Sequence, residues 1–432
     1  MDELNYAALR ETVHHCVLPN GLNIYVDARP EYARQFAFFA VRYGGMDFCF
    51  HGEDGDLVST PQGVAHFLEH KMFDTEDGNA LQRMAAQGVD PNAFTTPSMT
   101  GYFFEGTQGF EDNLRTLLSF VSRPWFTPES VEKEQGIIGQ EIRMTEDDPE
   151  NEVYYQLMEA MYRRHPARVR VAGTVESIAS ITADTLYRCH RAFYRPGNMV
   201  LCAAGNVDPR RVAEIAREVL DREPSAAAVP YHGHPDIHEV PCHYLERAMP
   251  VSIPLFELGF KLEPAPRGQG LRRRLLGELV CDVLLGSSAP LYSRLYEDGL
   301  INGSFASRYD ALPGCAHIIA GGESRDPKKV LDEVLKEAER LGSEGIDPEL
   351  WERLKKAAYG SMVRQLNSLE DVCCELAQAH FDGEDYLSFP QCFQSIERAD
   401  AQALLRDWCV ESQAALSVIV PSPASIETDK EG

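Results

Sequence analysis

Two histidines four residues apart with a glutamate between them, His66, Glu69 and His70 in GVAHFLEHKMF, are the residues of this 432-residue chain best arranged for chemistry. Helix formers flank them, and positions four apart on an α-helix project from one face, so two imidazoles can meet one cation. Glu69 lies on that face as well, with a carboxylate available to handle protons. The order is the reverse of the better-known H-E-x-x-H. A zinc ion that does chemistry takes three protein ligands and keeps one open position. Neither Lys71 nor Asp74 is placed to reach back onto the same face, so the third ligand must come from another element.

That element is sought in residues 127–146, TPESVEKEQGIIGQEIRMTE, where Pro128 in the first turn and early carboxylates predict a helix. Glu134 and Glu141 lie two turns apart and share a face, so either could point to the metal while Ile137, Ile138 and Ile142 pack into the core. A solvated face is the alternative for any glutamate in such a helix, but a carboxylate buried beside isoleucines is costly unless paired or metal-bound. Residues 91–104, PNAFTTPSMTGYFF, place Phe94, Thr95 and Thr96 in an extended run, with Pro97 suited to an edge or a bend. An exposed edge strand can accept a peptide by β-addition; an ordinary sheet strand is the other reading.

The elements that must position these groups belong to a chain of 48.3 kDa, longer than one hydrophobic core usually serves, so two or more domains are expected. A formal net charge of −26 repels phosphate backbones and argues against nucleic acid as a partner. No run of apolar residues is long enough for a membrane span. The start, MDELNYAALRETVHH, lacks a secretory signal, and eleven irregularly spaced cysteines read as reduced thiols, so a cytoplasmic protein is expected. The segment ADTLYRCHRAFYRPGNMVLCAAG from Ala183 and the segment ADAQALLRDWCVESQAALSVIVP from Ala399 share one plan of amphipathic helix, turn and buried strand. FAFFAVRYGG from Phe36 stands beside IPLFELGFKL from Ile253 in the same way. A duplicated domain accounts for both: residues 1–222, a linker over 223–240, and 241–432. The linker carries His232, His234 and His238, with no carboxylate helix or cysteine nearby to complete a metal shell.

With these residues in hand, the chain resembles the M16 pitrilysin and insulinase family of inverted zincins, whose motif is H-x-x-E-H. It is similar within that family to the two-domain bacterial M16B peptidases, and more narrowly to the subgroup associated with elongation factor P aminopentanol modification. The matching stretches are HFLEHKMF, NAFTTPSMTGYFF, the run from EKEQGIIGQEIRMTEDDPE through HPARVRVAGTVESI, and FYRPGNMVLCAAGNVDP. They cover most of residues 60–210; the second half matches in outline only. The resemblance implies an α+β fold in which two duplicated domains, each a mostly antiparallel sheet with helices on one face, enclose a chamber. It implies that His66, His70 and Glu141 bind one zinc ion, that Glu134 orients the ligands from behind, and that Asn92 and Ala93 grip the backbone of a peptide substrate. Glu69 would activate the zinc-bound water for hydrolysis of peptides or unfolded segments.

One part of the pattern is absent. The resemblance also implies an arginine and a tyrosine, seven apart, from the second domain. In SRLYEDGLINGSF from Ser293, Tyr296 stands where the arginine would be and Asn302 where the tyrosine would be, one residue short. Either a heterodimer partner without the metal motif supplies the pair, or Arg294, Arg308 or Tyr309 replaces it and a homodimer or monomer is competent. A non-catalytic or partner-dependent subunit of a peptide-processing or modification complex is the alternative to a complete zinc metalloendopeptidase.

Overall fold

A computed structural model of the chain describes residues 1–52, 54–220, 223–233, 236 and 238–422, which fall into two compact units. Seven strands make the main sheet of the first unit: β1 (Asp2–Tyr6), β2 (Glu11–Val17), β3 (Asn23–Ala28), β4 (Gln35–Val41), β5 (Asp90–Thr95), β6 (Thr100–Gly106) and β7 (Met199–Gly205). Their spatial order is β1-β2-β3-β7-β4-β6-β5, and only β3 and β7 run parallel. The middle strands read as near-continuous apolar runs because both faces are covered. On β4, Ala37, Phe39 and Val41 enter the main core while Phe38 stacks on Phe94 from the other face.

Among its described residues the second unit has five strands, β8 (Tyr244–Met249), β9 (Leu255–Leu262), β10 (Ala306–Leu312), β11 (Cys315–Glu323) and β12 (Ala414–Pro421), in the order β8-β12-β9-β11-β10. Only β8 and β12 are parallel. The order and directions repeat those of β3-β7-β4-β6-β5, so the duplication read from two short segments extends across the sheet. Both units are thus mixed α+β with mostly antiparallel sheets.

Six helices matter below: α1 (Val64–Met72), α2 (Pro128–Glu146), α3 (Pro149–Met161), α4 (Ala183–Phe193), α5 (Leu369–Asp382) and α6 (Arg398–Trp408). α4 followed by β7, and α6 followed by β12, are the two copies of the helix, turn and strand plan. A single cut over 223–240 does not describe the units, because each half of the chain lends a segment to the other. The first unit takes residues 1–142, 169–232 and 362–388, and the second takes 143–168, 233–361 and the chain from 389 onward. The reason is burial: α3 packs on β9 and β12, and α5 packs on β4 and β7. α3 approaches so closely that a Cβ at Gly259 would stand 2.6 Å from Met161 Sδ. Among the described residues no helix is long and apolar enough to cross a membrane.

α1 is almost wholly buried, through Val64, Ala65, Phe67, Leu68, Glu69, Lys71 and Met72. Its N-cap is Gly63 at φ 88°, where a Cβ would stand 2.3 Å from the carbonyl oxygen of Ala172. Only glycine fits this entry to the helix. Gly63→Ala is expected to cost about 2–4 kcal/mol, from the left-handed backbone and the clash together. A fall of several degrees in the thermal midpoint, followed by circular dichroism, would show it; an unchanged midpoint would contradict it.

α2 forms over 128–146, within a residue of the span expected. It buries Val131, Ile138, Gly139 and Ile142. Ile137, expected to pack with Ile138, is instead 46% exposed. At 3.6 residues per turn Val131, Ile138 and Ile142 form one stripe, Glu134 and Glu141 flank it, and Ile137 falls beyond them toward solvent.

Candidate metal centre

α1 and α2 bring His66, His70 and Glu141 together in the first unit. One ligand atom from each lies within 4.8 Å of the others, and no other such group of three occurs among the described residues. His66 Nε2 is 3.3 Å from Glu141 Oε1, and His70 Nε2 is 3.6 Å from Glu141 Oε2. The rings of His66 and His70 are centred 4.6 Å apart, as i, i+4 neighbours on a helix should be. Atoms bound tetrahedrally at zinc–nitrogen and zinc–oxygen lengths stand about 3.3 Å from one another. The two measured separations match that edge, and two imidazoles with one carboxylate form a usual zinc donor set, so these residues fit the ion.

Behind the cluster, His70 Nδ1 meets Glu134 Oε1 at 3.1 Å. A carboxylate there fixes the tautomer that leaves Nε2 free to bind a cation. His66 has no such support: its Nδ1 is buried without a hydrogen-bond partner among the described residues. Glu134, with 15% of its side chain exposed, is the more buried of the two acids, and Glu141, at 42%, faces the more open side.

The charges favour a cation. Burial opposes charging of His70, but the hydrogen bond His70 donates to Glu134 and the carboxylates of Glu69, Glu141 and Glu134 outweigh it and hold its pKa above the usual histidine value. The hydrogen bond with His66 holds the Glu141 carboxyl below its usual range, against a smaller effect of burial. Glu69 points elsewhere. It is 7% exposed, and its Oε2 accepts a 2.5 Å hydrogen bond from Thr95 Oγ1 at the end of β5. One carboxylate therefore lies beside the cluster without belonging to it.

β5 is the edge strand of its sheet, paired among the described residues with β6 alone. Asn92 and Ala93 lie on it, Asn92 exposed and Ala93 half-buried, with the Asn92 side chain accepting from the Ala93 N–H at 2.9 Å. Sequence reasoning noticed Thr95 in this run but not its bond to Glu69, which joins residues 26 apart. The alternation of a strand that ends against α1 was the one available hint.

In the second unit, the two arginines considered as replacements for the missing pair are already engaged, and the tyrosine is buried. Arg294 pairs with Glu337 at 2.9 Å, and Arg308 pairs with Asp310 at 2.8 Å and Glu257 at 3.4 Å. Burial pushes the Glu257 carboxyl up to about 7 despite Arg308. Tyr309 is buried, 6% exposed, with its ring against Gly277. Tyr296 is exposed beside Tyr292, and Asn302 donates to Glu323 at 2.6 Å. Of the linker histidines, His232 pairs with Asp47 at 2.8 Å and His238 lies against the Trp408 ring, while His234 lies outside the described residues.

Residues 58–175 match the family described as Insulinase (Peptidase family M16), and residues 180–358 match that described as Peptidase M16 inactive domain. A Bacillus subtilis (strain 168) protein described as "Uncharacterized zinc protease YmfH" is 34% identical over 430 residues, covering 97% of this chain and 99% of its own. A crystal structure of an M16-like peptidase from Alicyclobacillus acidocaldarius superposes with a TM-score of 0.91 at 30% identity, over 95% of this chain and 98% of the other. A protease from Helicobacter pylori shares the fold, with a TM-score of 0.81 at 17% identity over 95% of this chain and all of its own. The fold, both family matches and a relative alike from end to end agree that the chain belongs to the M16, or insulinase, peptidase family.

Proposed function

We propose that this chain is a zinc-dependent endopeptidase that hydrolyses peptides or unfolded segments. The observation that carries the reading is the convergence of His66, His70 and Glu141 within 4.8 Å, with Glu69 beside them but turned to Thr95. His66, His70 and Glu141 would hold the ion, and Glu134 would fix His70 from behind. Bound there, zinc supplies Lewis acidity that polarises a peptide carbonyl and acidifies water. Glu69 takes the proton of the attacking water and returns one to the leaving amine. Thr95 holds the Glu69 carboxylate while it does so. The free edge of β5 accepts the substrate as an added strand, with Asn92 and Ala93 against its backbone. Hydrolysis of quenched fluorescent peptides is expected to disappear when a chelator strips the protein and to return with zinc. Hydrolysis that persists in metal-free protein would overturn the reading.

We infer further that the chain is of the two-domain bacterial M16B type, near the elongation factor P modification subgroup, on the strength of HFLEHKMF and the run that follows it. All eleven cysteines are free thiols, which supports a reducing, cytoplasmic setting. Tyr296 and Asn302, standing where the arginine and tyrosine pair is expected, favour a heterodimer whose partner supplies that pair. The chain by itself would then be a partner-dependent subunit of a peptide-processing or modification complex. Purification from native extract should bring along a similarly sized chain without H-x-x-E-H. A chain that elutes alone and cleaves at full rate would contradict the partner.

A further inference from the structure

Lys71 follows His70 on α1, yet its side chain is 1% exposed and is among the largest fully buried side chains of the protein. A buried ammonium persists only against negative partners. Lys71 has two: its Nζ contacts Asp74 Oδ2 directly and lies 3.9 Å from Glu134 Oε2. The other oxygen of Glu134 meets His70 Nδ1 at 3.1 Å. Glu134 therefore bridges a buried ammonium to a ring whose opposite nitrogen faces Glu141.

We propose that Lys71 is a positioning residue for the metal centre, acting through Glu134 to hold His70 with Nε2 presented to the cation. The inference rests on the reading of His66, His70 and Glu141 as zinc ligands. The two acids beside Lys71 do not need it equally. Asp74 keeps 38% of its side chain exposed and can be solvated, whereas Glu134 keeps 15% and has Lys71 and His70 as its partners among the described residues. Without the ammonium, Glu134 loses one of its two partners among the described residues, and its carboxylate is free to turn toward water. His70 Nδ1 then loses its acceptor, and the ring loses the contact that fixes its orientation. Lys71 thus does for Glu134 what Glu134 does for His70.

The test is zinc affinity of the full chain, measured by competition with a chromophoric chelator, for wild type, Lys71→Met, Glu134→Gln and the double variant. Lys71→Met is expected to weaken binding roughly 10-fold, and Glu134→Gln by roughly 10- to 100-fold, the range for partners behind a ligand. The double variant should bind no more weakly than Glu134→Gln alone, because both changes break one chain of contacts. A residue that merely stabilised α1 would not show that dependence. Lys71→Met affinity within about 2-fold of wild type, or losses that multiply in the double variant, would overturn the proposal. Should Lys71→Met fail to fold, Lys71→Gln, which keeps a donor and removes the charge, carries the same expectations. Failure of the wild-type chain to bind zinc would remove the metal-centre reading and this proposal with it, a result distinct from a wild type that binds and a Lys71 variant that binds equally well.

Discussion

Glu69→Gln is expected to lower peptide hydrolysis by a factor of roughly 10²–10⁴, the usual contribution of a positioned general base, while zinc content stays at the wild-type level. The two halves of that expectation come from the same geometry. Glu69 is not one of the three residues whose ligand atoms cluster, so removing its charge removes no donor from the metal. Its carboxylate is buried at 7% exposure and held by Thr95, so a glutamine amide of the same shape can occupy the place without rearranging α1. An amide cannot take a proton from water at neutral pH, and no second carboxylate stands ready among those described: Glu141 faces both imidazoles and Glu134 is bonded to His70. Peptide kinetics with zinc quantified in the same samples would decide it. A Glu69→Gln protein that cleaves as fast as wild type would show that another group moves the proton.

Glu141→Ala is expected to have the complementary effect, losing zinc first and activity as a consequence. Its carboxylate spans the two histidines, at 3.3 Å from one Nε2 and 3.6 Å from the other. Removing it leaves two neutral donors, short of the three protein ligands a catalytic zinc requires. The loss of affinity should exceed the roughly 10- to 100-fold expected for Glu134→Gln, which acts from behind a ligand that remains. Folding should survive, since the side chain is 42% exposed and alanine is a good helix former. Competition titrations of the two variants side by side test the ranking. Equal losses, or a larger loss for Glu134→Gln, would mean that the roles of the two acids are exchanged.

That ranking marks where sequence reading reached its limit. His66, Glu69 and His70 were legible because their relation is local: positions 66 and 70 share a helix face whatever surrounds them. Glu134 and Glu141 were legible as a pair for the same reason. Which of them reaches the Nε2 atoms depends on how far α2 slides along α1, about 10 Å for seven residues, and no periodicity within α2 records that offset. The family resemblance favoured Glu141, and Glu141 is the acid that stands 3.3 Å and 3.6 Å from the two Nε2 atoms. Ile137 was misplaced because three nearby isoleucines look like one apolar face until Val131 is counted with Ile138 and Ile142. Lys71 was weighed only as a ligand that cannot reach the face of the motif; its buried contacts with Asp74 and Glu134 join it to another helix, which the local pattern does not record.

The fold was legible at a coarser grain. Helix, turn and strand recurring from Ala183 and from Ala399 were enough to expect two similar domains, and the matched strand orders bear that out. The exchange of α3 and α5 between the units was not readable. An amphipathic pattern says that a helix buries one face, but it does not say which sheet receives it.

The most direct test of the central claim is anomalous diffraction at the zinc edge from crystals of the protein as purified. The account predicts one peak per chain, at bonding distance of about 2.0–2.2 Å from His66 Nε2, His70 Nε2 and the Glu141 carboxylate, with the Glu69 carboxylate outside that range. A peak among cysteines, a peak that leaves Glu141 unbound, or no zinc at all would contradict it.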